Sequence, residues 1–483
     1  MALQVYNTLS RQKELFQPIH EGSVGIYVCG PTVYSHSHLG HAKSYVSFDV
    51  IVRYLRHLGY KVLYVQNITD VGHLTDDADE GEDKLVKQAR IDRIHPMQLA
   101  ETYTRSYFED MDALNVARAD IVPRASGHIT EQIAMIQKLL DRHLAYEANG
   151  SVYFDVSRFA GYGRLSGRTV EELNAGARVE VKEEKRHPAD FALWKKAEPG
   201  HIMRWPSPWG EGYPGWHIEC SAMSTKYLGE SFDIHGGGLE NQFPHHECEI
   251  AQSEGATGKH FVRYWLHNNM VTVDGRKMGK SLGNFLTLKD AFIRWNPQVV
   301  RFFILQSHYR STLDFSNAAV EGAAAGYEKM ANAIRNLRDR IASAPESGAD
   351  AGIDLPRYKE AFRAAMDDDF NTPQAIAVLF DLVRDVNLAI ASEKPLRRSS
   401  LEAIDRFFVE HAGSILGITP HADKSLTDGE SAVPALVDLL VSLRGEIRSQ
   451  KLWTLSDTIR DGLAKLHITL EDKKTGTTWK RTS

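Results

Sequence analysis

The chain has 483 residues, 42% hydrophobic and 25% charged, with a formal net charge of −6 and three cysteines. This composition suits a globular protein of about three domains. It excludes a disulfide framework and the coating of nucleic acid by bulk positive charge, while leaving a local basic face open.

No apolar run reaches the roughly eighteen residues of a membrane span. The opening MALQVYNTLSRQKELF lacks the apolar core and cleavage site of a secretory signal. Sparse cysteines suit a reducing, cytoplasmic setting, as metal ligands or as small buried hydrophobes.

In chain order, GIYVC (25–29) reads as a short buried strand, followed by a loop at Gly30 and Pro31. Ala42, Tyr45, Val46, Phe48, Val50, Ile51, Tyr54, Leu55 and Leu58 recur at helical spacing over 39–58, and Gly59 is placed as a stop. KVLYV (61–65) reads as a second strand. Strand, helix and strand predict a parallel pair with a right-handed crossover. In such sheets ligands bind beyond the carboxyl ends of the strands. Residues from Cys29 to His41 and the segment Asn67-Ile68-Thr69-Asp70 fall there.

Residues 114–204 loosen into helices, short strands and turns and read as an insertion. WPSPWGEGYPGW (205–216) is too rich in Pro, Gly and Trp for a regular element. FDIHGGG (232–238) reads as a strand end running into a glycine turn, and HHECEIAQSEGA (245–256) as a helix ended by Gly255. Beyond about Phe315 the periodicity is helical, with one helix pair broken near Thr372-Pro373. ADKSLTDGES (422–431) is a candidate linker. A helical segment follows, then HITLEDKKTGTTWKR, read as a short hairpin with a basic tip.

Two pieces carry phosphate chemistry. His38-Leu39-Gly40-His41 opens a helix, whose unpaired N–H groups and dipole favour phosphate; capping histidines are the plainer alternative. Lys277-Met278-Gly279-Lys280-Ser281 is a glycine-rich basic loop with two lysines three residues apart, suited to a triphosphate or simply to solvent. For metal binding, His245 and Glu249 are four apart on one helix face. From the residues alone His246 and Cys248 are rivals, because Cys248 also shares a face with His245. A site of three cysteines and one histidine would be closed to substrate.

HLGH early and KMGKS late resemble the paired signatures of class I aminoacyl-tRNA synthetases. YVCGPTVY, WHIECSAM, FDIHGGG, FPHHECEIAQS, MDDDFNTP and LEDKKTGTTWKR narrow the resemblance to the cysteinyl-tRNA synthetase family, over essentially the whole chain. Two departures are visible: Gly279 stands where the family normally has serine, and NITD runs into VGHLTDDADEGEDK, longer and more acidic than the family pattern.

The resemblance implies an α/β fold: a class I Rossmann-type catalytic domain over 1–315, with the insertion at 114–204 and the signature loop at 277–281, a helical bundle over 316–421, and a small anticodon-binding domain over 433–483. It implies ATP-dependent activation of L-cysteine and transfer to tRNA(Cys) by a monomer, with one Zn2+ and with Mg2+ accompanying ATP. The implied zinc ligands are Cys29, Cys220, His245 and Glu249. His38, His41, Lys277 and Lys280 would be catalytic, and Gly40, Gly236, Gly237 and Gly238 would join them around ATP. Gly30, Thr69, Trp216, Asp233 and His235 would surround the cysteine.

Arg448, Trp453, Asp457 and Asp472 would read the anticodon, beside a basic patch of Lys473, Lys474, Lys480 and Arg481. Zinc gives the physical reason for the pocket: a soft ion separates a thiol from the near-isosteric hydroxyl of serine, which an apolar pocket cannot do. Two alternatives are a ligase joining cysteine to a small amino sugar, which would lack the anticodon domain, and an inactive zinc-containing RNA-binding protein.

Overall fold

The computed structural model describes residues 2–74, 83–168, 184–279, 283–392, 394–419, 429–466, 468–473 and 476–481. The chain divides into two compact units, Met1–Thr419 and Pro420–Ser483.

In the first unit a hairpin of β1 (Gln4–Asn7) and β2 (Gln12–Leu15) precedes β3 (Ser23–Val28), α1 (Leu39–His57) and β4 (Lys61–Gln66). Strands β3 and β4 pair in parallel from Ser23↔Lys61 to Val28↔Gln66, the expected unit. Helix α1 begins in a reciprocal cap: Gly40 N–H donates to His38 Nδ1 (3.1 Å) and His38 N–H donates to His41 Nδ1 (3.2 Å). It ends where Gly59 takes φ +92°.

Helices α2 (Lys84–Asp92), α3 (Pro96–Ala113) and α4 (Ile129–Asp141) lead into an antiparallel sheet. Its strands are β5 (Ala145–Ala148), β6 (Ser151–Phe154), β7 (Phe191–Lys196), β8 (Trp205–Ser207) and β9 (Gly210–Pro214), in the order β5-β6-β7-β9-β8. The segment WPSPWGEGYPGW thus contributes a hairpin, contrary to expectation. Pro206 is tolerated because β8 lies at the sheet edge. The sheet therefore runs on to Pro214, ten residues past the expected end of the insertion at 204.

Helix α5 (Trp216–Leu228), β10 (Phe232–Gly238), α6 (His245–Thr257) and β11 (Val262–Asn268) return the chain to the parallel sheet, whose order is β11-β10-β3-β4. All seven residues of β10 are buried, as befits a central parallel strand covered on both faces. Its three glycines pair with Leu266, His267 and Asn268, so they are strand residues, not a turn. A Cβ on Gly236 would lie 2.3 Å from the Phe48 ring, and one on Gly237 2.8 Å from His246. Helix α6 passes through Gly255, whose bare face packs against Leu139 and Leu144, and stops at Gly258 with φ +74°.

Strands β12 (Val271–Val273), β13 (Arg276–Lys277) and β14 (Leu313–Phe315) form a small sheet around α7 (Leu288–Arg294) and α8 (Pro297–Leu305). Four helices follow: α9 (Asn317–Ser343), α10 (Leu355–Asp367), α11 (Thr372–Ala391) and α12 (Arg398–Phe408). Asn371 caps α11 by accepting from Gln374 N–H, with Pro373 in the first turn, which explains the predicted break. Buried Arg301 on α8 joins Asp49 of α1 (2.5 Å) and donates to the carbonyls of Leu114, Asn115 and Leu416. One side chain thus ties the helical region to α1.

The second unit holds α13 (Gly429–Ser449), α14 (Trp453–Lys465) and a hairpin of β15 (Ile468–Lys473) and β16 (Gly476–Arg481) around Val437, Leu463 and Ile468. Most of the candidate linker lies outside the described residues.

Candidate active site and metal centre

The chain leaves β3 towards β4 on one side, while β10 pairs with β3 on the other. The crevice between the carboxyl ends of β3 and β10 is therefore the topological switch point where such sheets bind ligands. Cys29 follows β3 directly, and its main-chain N–H donates to Gly236 O (3.0 Å). Gly30 N–H donates to Asn67 Oδ1 (2.8 Å) at the end of β4. No side chain fits at Gly30, since a Cβ there would fall 1.5 Å from Asn67 O. A cavity of about 480 Å³ opens at this point.

At its floor, donor atoms of Cys29, Cys220, His245 and Glu249 all lie within 4.8 Å of one another. Cys29 comes from the end of β3, Cys220 from α5, and His245 and Glu249 from successive turns of α6. The two sulfurs are 4.0 Å apart, and His245 Nε2 is 3.2 Å from Glu249 Oε1. Tetrahedral zinc with Zn–S bonds near 2.3 Å would hold sulfurs about 3.8 Å apart, so the set fits such an ion.

A second grouping shares Cys29 and Glu249 but uses His235 and His246. Cys220 and His245 line the cavity and His235 and His246 do not, so only the first set faces an entering ligand. His246 instead passes a hydrogen bond to His267 (2.8 Å) and on to Thr8 (2.8 Å).

Burial raises the Cys29 thiol and the Glu249 carboxyl and pulls the His245 imidazole well down. The imidazole thus keeps its lone pair for a metal, and a cation would reverse the cost for the Cys29 thiol. Cys248 is elsewhere, buried in another part of the core with its sulfur 3.4 Å from Tyr162 Oη.

The upper wall is the start of α1. His38, Gly40 and His41 line the cavity, and the two imidazoles stack at 3.9 Å. Burial holds His41 well below the usual imidazole range, hence neutral. Gly30, Thr69, Trp216 and Gly238 also line the cavity.

Among the described residues, Glu249 and Lys277 do not line it, and neither do four positions expected around the cysteine and the nucleotide. Asp233 sits near the amino end of β10, where it accepts from Ile19 N–H (2.6 Å) and Gly25 N–H (2.8 Å); strand direction carries it away from the crevice. His235 lies behind the ligand set and holds Glu249 Oε2 at 2.8 Å, which orients a candidate ligand. Gly236 and Gly237 make room for Phe48 and His246.

Of the signature loop, Lys277 ends β13, and Gly279 N–H donates to Asn284 Oδ1 (2.9 Å). Lys280 and Ser281 lie outside the described residues, as do residues 75–82 of the acidic segment.

Asn67 lines the cavity, as its place after β4 implies, and so do His73 and Lys84, to which reading the sequence assigned no role. His73 stacks on Trp216 (4.0 Å), which stacks in turn on His245 (4.3 Å). Its Nδ1 meets Thr32 Oγ1 (2.6 Å) and its Nε2 meets Lys84 Nζ (2.9 Å). Both residues belong to the segment that departs from the family pattern, so the pattern carried no signal for them.

In the second unit, Arg448 lies 5.9 Å from the centre of the exposed Trp453 ring. Asp457, one turn along α14, pairs with Arg460 (3.1 Å). Asp472, Lys473, Lys480 and Arg481 are placed in the hairpin by their main chain, and Lys474 lies outside the described residues.

A parallel sheet with a histidine-capped helix start at its switch point is the arrangement of a class I aminoacyl-tRNA synthetase. Residues 15–325 match the family of tRNA synthetases class I (C) catalytic domains, and residues 361–419 match the DALR domain. The fold is shared with the methionyl-tRNA synthetase of Mycobacterium tuberculosis (TM-score 0.59, 14% identity, covering 87% of this chain and 94% of that one). It is shared too with a leucyl-tRNA synthetase of Agrobacterium radiobacter (TM-score 0.58, 12% identity, covering 83% and 85%).

The chain is 57% identical to the cysteine–tRNA ligase of Chlorobaculum tepidum over 99% of both proteins. It is 51% identical to that of Thermus thermophilus over 99% of both. The chain belongs to the cysteine–tRNA ligase family. Among the described residues no helix is long and apolar enough to cross a membrane.

Proposed function

We propose that this cavity carries out both steps of cysteine–tRNA ligation, with the thiol read at its floor and ATP used at its upper wall. The observation that carries the reading is that one cavity is lined both by Cys29, Cys220 and His245 and by His38, Gly40 and His41. Cys29, Cys220, His245 and Glu249 would hold one zinc ion. Bound there, zinc supplies a soft Lewis acid that prefers the sulfur of cysteine to the oxygen of serine.

The cysteine carboxylate oxygen attacks the α-phosphorus of ATP, the bond to the β-phosphate breaks, and pyrophosphate leaves. A ribose hydroxyl at the tRNA end then attacks the adenylate carbonyl, and AMP leaves. His38 and His41 contact the phosphates, Gly40 and Gly238 admit the nucleotide closely, and Lys277 and Lys280 stabilise charge as it develops. ATP enters as its Mg2+ complex. Gly30, Thr69 and Trp216 wall the cysteine.

We further propose the domain limits 1–315, 316–421 and 433–483, with the anticodon read in the last domain by Arg448, Trp453, Asp457 and Asp472. An exposed aromatic beside a guanidinium suits unstacked bases. The working unit in this reading is a monomer. Its three buried cysteines form no disulfide, which suits a reducing cytoplasm.

The test is aminoacylation of tRNA with cysteine and with serine, alongside metal analysis. One zinc per chain and strong preference for cysteine are expected. A metal-free protein that discriminates equally well would refute the thiol reading.

A further inference from the structure

Lys43 is one of the most buried charged side chains in the protein, 1% exposed, on the first turns of α1 just past His41. Its hydrogen-bond partners are main-chain carbonyls: Nζ donates to Met270 O (3.3 Å) and to Ser311 O. A buried ammonium held by carbonyls in place of a carboxylate is costly. Burial pulls its pKa down to about 8, with the charge of Glu240 opposing.

The two carbonyls are not arbitrary. Met270 immediately precedes β12, and Ser311 lies just before β14. These strands pair in parallel from Val271↔Leu313 to Val273↔Phe315. Strand β12 also pairs with β13, where Thr272 faces Lys277, the first residue of the signature loop. The chain beyond that loop is fastened to the same region of α1 by main chain at the start of α7: Leu288 N–H donates to Ser37 O (2.8 Å), and His38 bridges Thr287. The chain on either side of the loop is thus tied to the phosphate-binding end of α1, and Lys43 is the upstream tie.

We propose that Lys43 is a positioning residue for adenylate formation, fixing the base of the signature loop relative to the histidines that open α1. The inference rests on the phosphate roles given above to those histidines and to the loop. Removing the tie leaves the thiol-reading floor of the cavity intact, so its effect falls on the rate of activation and not on cysteine recognition.

The experiment is ATP–pyrophosphate exchange by the full-length, metal-loaded protein. Lys43→Met removes the donors at similar length, and Lys43→Gln retains a shorter donor. Tyr54→Phe controls for stability by deleting a buried hydrogen bond to Asp367 (2.7 Å) further along the same helix. Lys43→Met should lower kcat by about ten- to a hundredfold, the scale of a small misplacement in an active site. KM for cysteine should stay within about twofold, Lys43→Gln should recover part of the rate, and Tyr54→Phe should behave as wild type.

Wild-type kcat in Lys43→Met, or a fall in kcat matched by a rise in cysteine KM, overturns the proposal. If Lys43→Met does not fold, Lys43→Gln is judged by the same criteria at an intermediate rate. Lys277→Ala in the same assay separates the two levels of argument. Loss of activity there with none in the Lys43 variants refutes only the tie, while full activity in Lys277→Ala refutes the loop's role itself.

Discussion

Replacing Cys220 by serine tests the thiol-reading floor directly. Cys220 is 1% exposed, its sulfur is 4.0 Å from that of Cys29, and its thiol donates to Asn67 Oδ1 at 3.7 Å. The change swaps sulfur for oxygen with little change of volume, so packing on α5 should survive. The metal site, however, loses a soft anionic ligand and gains a neutral alcohol. Four-ligand zinc sites are worth about 10–16 kcal/mol. One ligand of four therefore accounts for about 3–4 kcal/mol, or about two to three orders of magnitude in affinity.

Zinc content after dialysis against a graded chelator measures that loss. Pyrophosphate exchange with cysteine and with serine measures its consequence, and the preference for cysteine should fall about a hundredfold, towards what a pocket without metal achieves. A Cys220→Ser protein that keeps its zinc at wild-type chelator concentrations and its full preference would refute the assignment of this ligand.

Arg301→Met should lower the stability of the first unit by about 3–5 kcal/mol in denaturant unfolding, because it strips Asp49 of a buried partner and frees three carbonyls; a loss below about 1 kcal/mol would contradict the role given to this strut. Gly236→Ala should cost about 1–3 kcal/mol by driving a methyl into Phe48, with the Phe48→Leu double variant recovering part of it. For pH, burial holds His267 at about 3 against an ordinary 6.5. The unfolded chain then binds the extra proton between those values, so this stability is whole above about pH 6.5 and drains away as pH falls towards 3. Wild type should lose about 2 kcal/mol more than His267→Gln between pH 7 and pH 5, and parallel curves for the two proteins would exclude the effect.

What the sequence revealed and what it hid follow from the range of the interactions. The helix over 39–58, its stop at Gly59 and the flanking strands are local patterns, and the structure reproduces them. His245 and Glu249 share a face through helical spacing alone, and Cys29 follows from the end of a readable strand. The errors arise where a partner distant in sequence decides. The glycines of FDIHGGG look like a turn until Phe48 and His246 are seen to require their bareness. Pro206 is admissible in a strand only because β8 lies at an edge, which no local pattern states. Asp233 could have been set aside, since it begins a strand whose ligand end is its carboxyl end. His73 could not, because its place is created by Trp216 on the far side of the insertion.

That last contact explains how a large insertion can interrupt the catalytic sheet without disturbing it. The chain lines the crevice at Asn67, Thr69, His73 and Lys84 on one side of the insertion and returns to it at Trp216, the first residue of α5. Departure and return touch: Cys220 donates to Asn67, and His73 lies flat against Trp216. The inserted residues therefore form a loop closed at the active site itself, and the entropy of closing a loop grows only slowly with its length. An antiparallel sheet can be carried there with its buried face packed against α4, α5 and α6. The same closure makes the points on either side of the insertion the sensitive ones: Asn67, His73 and Trp216 line the cavity, whereas no residue of the edge strand β8 does.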